Sequence, residues 1–193
     1  MINVGTHDVI TRRIRIRPGP GSPGSEPDGV WVNGDAYNVI FDHCSISWAV
    51  DENLTASYGA HDVTIQWCII SQALCEAGHS KGWHSMGLMF SSSNDDQSQP
   101  QNLCVDPPVR DHLVPSAFPM PSITTLSALD AYDKVLTNAG VTVPVRDAVD
   151  NAVVQSVQNN LGGVIDDPSD VGGWPTLAAG TPLADTDHDL DAR

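Results

Sequence analysis

The 193-residue sequence is poor in positive charge: 9 Lys and Arg stand against 24 Asp and Glu, for a formal net charge of −15. Such a surface, with a pI near 4.4, repels phosphate backbones, so a nucleic acid is not an expected partner. No apolar run approaches the roughly 18 to 20 residues of a membrane span, so a membrane partner is not expected either. The opening Met-Ile-Asn-Val-Gly-Thr has neither a basic n-region nor an apolar h-region. The chain is thus expected to be either cytoplasmic or missing its true N-terminus. Charge of either sign is scarce, at 17% of residues, while 40% are apolar. That balance excludes a highly charged disordered chain and allows a buried core. The 16 Gly and 14 Pro are scattered along the sequence and favour a turn-rich β architecture over a helical bundle. The length fits one domain, or one domain with an appendage.

What the sequence does contain is a repeat. The segment Ala36-Tyr-Asn-Val-Ile-Phe-Asp-His-Cys-Ser-Ile-Ser-Trp-Ala49 matches Ala60-His-Asp-Val-Thr-Ile-Gln-Trp-Cys-Ile-Ile-Ser-Gln-Ala73 at an offset of 24 residues. Gly5-Thr-His-Asp-Val9 echoes Gly59-Ala-His-Asp-Val63 and places a further copy upstream. Val9 to Arg17 alternates apolar and polar residues as a strand does. Pro18-Gly-Pro-Gly-Ser-Pro-Gly-Ser25 reads as a loop that absorbs the extra residues between copies. Short β-branched strands, turns and a period near 24 predict a right-handed parallel β-helix, an all-β solenoid in which equivalent residues stack. Cys44 is expected over Cys68, and Val39 over Val63. Two similar hairpins in a β-sandwich are the alternative, but hairpins have no need to repeat in register.

Two stretches carry a family likeness. Asn38-Val-Ile-Phe-Asp-His-Cys-Ser-Ile-Ser-Trp-Ala-Val-Asp-Glu-Asn53 and Gly78-His-Ser-Lys-Gly-Trp-His-Ser-Met-Gly87 resemble the signature of extracellular pectate lyases. The resemblance covers roughly residues 9 to 90. Ser122-Ile-Thr-Thr125, Pro144 to Asp150 and Asp170-Val-Gly-Gly-Trp-Pro175 are similar to the tail of bacterial members. The sequence departs from the family after Phe90, where a polar junction, Ser91 to Pro100, replaces several coils. Those coils carry the arginine taken as the family's catalytic base. The arginines here are Arg12, Arg13, Arg15, Arg17, Arg110, Arg146 and Arg193, and none sits in the expected coil. The chain therefore reads as a lyase-like sequence lacking N-terminal and central coils, organised as a partial β-helix (1–90), a polar junction (91–106) and a C-terminal extension (107–193).

The resemblance implies Ca²⁺-dependent β-elimination on polygalacturonate, a secreted location and a monomeric protein. A base takes the C5 proton next to the uronate carboxylate, and the bond to the O4 leaving group breaks. A hard cation with oxygen ligands stabilises the charge that develops and bridges an acidic protein to a polyanion. The implied metal ligands are Glu52, with Asp28 and Asp51 as helpers. Another family carboxylate falls on Ala56, which should weaken the site. Lys81 matches a lysine that pairs with a substrate carboxylate, and His84, or one of the arginines at 12 to 17, is the candidate to replace the missing base. Asp51 and Glu52 can equally be turn carboxylates, and Lys81 a solvated loop lysine. A non-catalytic β-helix module binding acidic polysaccharide is the alternative function. A glycoside hydrolase would need paired acids on one face, which Asp28, Asp51 and Glu52 supply only loosely.

Other residues favour structural roles. Asp42 and His43 are expected on opposite faces of one strand, with His43 a hydrogen-bonded structural residue. His79 and His84, five apart in a loop, offer a weaker metal pair. Cys44 and Cys68 fit a core ladder better than a disulfide, whereas Cys75 and Cys104 can pair in an oxidising compartment. In the extension, Ser127 caps a helix with Leu129, Tyr132, Val135 and Leu136 on one face, ended by Gly140. A second helix is expected near Pro144, with Val145, Val149, Ala152, Val153 and Val157 inward, stopping by Gly162. Ala184 to Asp191 spaces its acids like the start of a calcium loop but lacks the Gly and Glu that close one.

Overall fold

The computed structural model describes residues 1–90 and 124–176. The polar junction, Cys104 and the acidic terminus lie outside the described residues, as do the expectations placed on them. Among the described residues, ten strands and two α-helices form in chain order: β1 (Ile2–Val4), β2 (Val9–Arg12), β3 (Arg15–Ile16), β4 (Val30–Val32), β5 (Tyr37–Asp42), β6 (Ser45–Ser47), β7 (Glu52–Ala56), β8 (His61–Gln66), β9 (Ile69–Ser71), β10 (Met86–Phe90), α1 (Ala128–Asn138) and α2 (Ala148–Gln158). Every strand pair is parallel, and each strand bonds the strand three further along. The result is three sheets, β1-β4-β7-β10, β2-β5-β8 and β3-β6-β9.

The 24-residue register is the one that the repeat predicts. Val39 pairs with Val63 and Ile46 with Ile70. The Ile69 amide donates to the Cys44 carbonyl at 2.9 Å, and the Cys44 amide donates to Cys68 Sγ at 3.4 Å. Cys44 and Cys68 are free thiols in a ladder. Upstream, Val9 pairs with Val39, an offset of 30. The six additional residues fall between β3 and β4, where the Pro-Gly loop was expected.

One expectation changes. Val9 to Arg17 is two strands, because Arg13 adopts a left-handed conformation (φ 58°) and turns the chain into the next sheet. Its repeat equivalents His43 and Trp67, both at φ 53°, do the same. A second corner stacks Asp8, Asn38 and Asp62, at φ 59°, 53° and 53°. Asn and Asp tolerate this region best among non-glycine residues, so the Asp or Asn at the start of each second-sheet strand has a backbone reason. His43 also departs from its predicted place: the corner swings it back so that its Nδ1 lies 2.7 Å from Asp42 Oδ1, rather than across the strand.

The core lies between the sheets. Val30, Val32, Val39, Phe41, Cys44, Ile46 and Leu54 are fully buried, each contributing roughly 1.5 to 3 kcal/mol if a full side chain leaves water. Polar ladders run along the outside: Arg12 Nε donates to Asp42 Oδ2 at 2.6 Å, and Gln66 Nε2 donates to Asp42 Oδ1 at 3.1 Å.

α1 forms as predicted, with the Asp130 amide donating to the Ser127 hydroxyl at 3.1 Å and Gly140 (φ 77°) following the C-cap. Its apolar face, however, buries no residue completely. It overlooks a cavity of about 540 Å³ that Ile70, Val135, Leu136, Val153 and Val157 help to line. α2 starts at Ala148 rather than near Pro144, because the Asp147 carboxylate caps it by accepting the Asp150 amide at 3.0 Å. Val145 consequently lies outside the helix and is exposed, as is Val157. Charge docks this helix to the third sheet. Arg17 reaches Asp147 Oδ2 at 2.6 Å and Asp150 Oδ1 at 2.7 Å, and Ser45 Oγ donates to buried Asp150.

Candidate functional site

The register that builds the first sheet also gathers its acids. Asp28 precedes β4 and Glu52 opens β7, 24 residues on, so they are stacked neighbours. The Glu52 amide donates to Asp28 Oδ1 at 3.2 Å, and the Gly29 amide donates to the Glu52 carbonyl at 2.9 Å. Gly29 permits this approach: a Cβ there would sit 2.3 Å from the Asn53 carbonyl oxygen. Asn53 fixes the turn carrying Asp51, accepting the Ala49 amide at 3.1 Å and donating to the Ser71 carbonyl at 2.9 Å. Carboxylate oxygens of Asp28, Asp51 and Glu52 consequently lie within 4.8 Å of one another.

Three carboxylates at that spacing, with Glu52 buried, disfavour full ionisation. Burial first, then the Asp51 charge, pushes Glu52 up to about 9. Burial also raises Asp28, against the hydrogen bond it accepts from the Glu52 backbone. The Thr55 hydroxyl donates to Glu52 Oε2 at 3.2 Å. An all-oxygen set that is held together and short of positive charge fits a hard divalent cation. Ala56, at the position of the missing family carboxylate, is buried in the core cluster.

A second group reaches the acids from the loop between β9 and β10. Pairing of Met86 with Glu52 gives an offset of 34 residues, ten more than in the repeat, and the added length folds back over Asp51. His84 Nε2 lies 2.7 Å from Asp51 Oδ1. Facing a carboxylate, that nitrogen carries the proton, which leaves Nδ1 with a lone pair. Burial, then neighbouring His79, lowers the His84 pKa and keeps the imidazole neutral. His79 stacks on His84 with ring centroids 3.8 Å apart. Lys81 is exposed in this same loop, and its amide donates to His79 Nδ1 at 3.0 Å. Glu26, from the β3–β4 loop, accepts the Ser80 amide at 2.6 Å, and hydrogen bonding to Ser80, first from its side chain and then from its backbone, lowers the Glu26 pKa.

All five residues singled out from the sequence, Asp28, Asp51, Glu52, Lys81 and His84, are therefore on the two loops and the turn that meet at one end of the first sheet. Sequence reasoning missed Glu26 and Thr55. Glu26 had a signal, being two residues before Asp28 in the long loop, but nothing in its spacing shows that the loop folds back to His79. Four of the five described arginines are engaged elsewhere: Arg12 with Asp42, Arg15 and Arg17 with Asp147, and Arg146 with the carbonyls of Leu136, Thr137 and Ala139 at the end of α1.

No family model matches the chain. It is similar to a probable pectate lyase C of Emericella nidulans, 42% identical over 67 residues, covering 35% of this chain and 15% of that one. A probable pectate lyase C of Neosartorya fischeri is 26% identical over 269 residues, covering 94% of this chain and 63% of the relative. Pectate lyase 3 of Ambrosia artemisiifolia is 32% identical over 75 residues, 36% of this chain and 19% of its own. The bacterial affiliation expected from the tail finds no support among these mainly fungal relatives. The chain spans less than two thirds of the length of each. Since 94% of 193 residues is about 181, about 88 of the 269 aligned positions belong to the Neosartorya relative alone.

Proposed function

We propose that the chain is a pectate lyase-like protein that acts on polygalacturonate with Ca²⁺, in a secreted, monomeric form. In this reading the three parallel sheets are the faces of a right-handed β-helix, and the cluster at their edge is the catalytic site. The observation that carries the proposal is the convergence of Asp28, Asp51 and Glu52 within 4.8 Å, in a chain similar to proteins named pectate lyase. These residues would hold the calcium ion. When bound, it supplies positive charge beside the uronate carboxylate, which makes the C5 proton more acidic.

The chain's own side chains divide the remaining work. Lys81 pairs with a substrate carboxylate. His84, neutral and oriented by Asp51, accepts the C5 proton at Nδ1 while the bond to O4 breaks. Asp51 is the positioning residue for that base, fixing its tautomer. With a shorter groove, turnover should be slower than in an intact relative, and removing the base in His84→Ala should lower it by a further factor of roughly 10² to 10⁴.

The engagement of those four arginines favours a second reading, a module that binds acidic polysaccharide without cleaving it. Following the ultraviolet absorbance of unsaturated product from polygalacturonate, with calcium and with a chelator, separates the two. Slow, calcium-dependent product that disappears in His84→Ala supports the lyase. Calcium-dependent binding with no product supports the module. Fast cleavage unaffected by His84→Ala moves the base to another residue.

A further inference from the structure

We propose that His79, His84, Asp51 and Glu26 form a second metal site, one that takes a borderline divalent cation such as zinc. One ring nitrogen of His79, one of His84 and a carboxylate oxygen of Asp51 lie within 4.8 Å of one another. The His79 side chain is 1% exposed, and its Nε2 has no hydrogen-bond partner. That nitrogen points between Glu26 Oε2, at 3.4 Å, and Asp51 Oδ1, at 3.5 Å. Both separations are too long for an ordinary N–H···O bond. They match the edges of a tetrahedron instead, because ligands 2.0 to 2.1 Å from zinc lie roughly 3.3 to 3.4 Å apart.

The remaining ligands lie close by, and ligation at His84 Nε2 moves the proton it now directs at Asp51 to Nδ1, so that a zinc-loaded His84 has no lone pair left to act as a base. Glu26 uses Oε1 for the Ser80 amide, which leaves Oε2 for the ion. His84 Nε2 is 2.7 Å from Asp51 Oδ1, so that edge must open by roughly 0.6 Å to reach the tetrahedral value. Two imidazoles with two carboxylates are a zinc-type donor set, whereas the neighbouring Asp28–Asp51–Glu52 group is all oxygen and suits calcium. Asp51 belongs to both groups, so zinc and calcium would compete through it. Ligation at His79 Nε2 moves that ring's proton to Nδ1. The Lys81 amide, which now donates to Nδ1 at 3.0 Å, must then turn to solvent.

The proposal does not depend on the lyase reading, and its test is independent of activity. Zinc chloride is titrated calorimetrically into the full chain, into His79→Gln and into Glu52→Gln. We expect one zinc bound by wild type, an affinity lowered tenfold or more in His79→Gln, and little change in Glu52→Gln. Should His79→Gln not fold, the wild-type NMR spectrum decides: zinc must shift the His79 and His84 ring signals and the Lys81 amide. No zinc binding overturns the site, as does equal affinity in His79→Gln or an unmoved Lys81 amide. Absence of polygalacturonate cleavage would count against the lyase reading and leave these outcomes untouched.

Discussion

The middle and last repeats carry nearly the same apolar pattern in different surroundings. Phe41, Cys44, Ile46 and Leu54 are sandwiched between neighbouring strands and have no exposure. Their register partners Ile65, Cys68, Ile70 and Leu88 are only partly buried, packed against the core from one side. A cavity of about 600 Å³, lined in part by Ile65, Ile70, Leu88 and Val164, opens on that side. Burial in this fold thus comes from the strands above and below, and sequence alone does not set it. The functional cluster spans the two environments, with Glu52 in the enclosed repeat and the histidines in the open one.

The largest test of this contrast is core truncation. Phe41→Ala should cost about 3 to 5 kcal/mol, whereas Ile65→Ala should cost no more than about 2, because its site is already open. Equal losses in denaturant titrations would mean that the last repeat is enclosed in solution. Next comes the charged dock of α2. Removing buried Asp150 takes one of two carboxylates from Arg17 and the acceptor from Ser45, so Asp150→Ala should cost about 3 kcal/mol, seen as a lower unfolding midpoint and an α2 that exchanges amide protons early.

The pH response should follow Glu52. Its folded value, about 9, lies above the ordinary 4.5, so the folded state binds the proton more tightly than the unfolded chain. That stabilisation is complete below about pH 4.5 and is lost as pH rises toward about 9. Cation-free protein should therefore melt at progressively lower temperature across this window, and Glu52→Gln should flatten the curve. A wild-type curve already flat without cation would place Glu52 outside a low-dielectric site. The smallest effect belongs to the outer ladder, where exposed Arg12 meets buried Asp42. Arg12→Ala should change stability by less than about 1 kcal/mol, since Asp42 keeps its bonds to Gln66 and His43.

The parallel sheets were legible because a stacked strand forces its residues to repeat, and Val39/Val63 and Cys44/Cys68 carry that signature openly. The corners were less so. Arg13 and His43 sit inside alternating patterns that a straight strand would also produce, and only their left-handed backbone marks the turn. The start of α2 was hidden because Pro144 is a plausible first helical residue, while Asp147 caps the helix with help from Arg17, 130 residues away. Of the site, Asp28, Asp51 and Glu52 were reached through the family likeness, and the 24-residue offset accounts for the stacking of Asp28 on Glu52. Glu26 and Thr55 were not reached: Glu26 lies in a loop that leaves the repeat and carries no periodic signal, and Thr55 reads as an ordinary residue of β7.

The most direct measurement is a calorimetric titration of calcium into the full chain and into Glu52→Gln. The account predicts weak binding to one site in wild type, because Ala56 stands where the family likeness expects a further carboxylate, and no measurable heat in the variant. The same heat in both proteins would contradict it, removing Glu52 and the Asp28–Asp51–Glu52 cluster as the place where the cation binds.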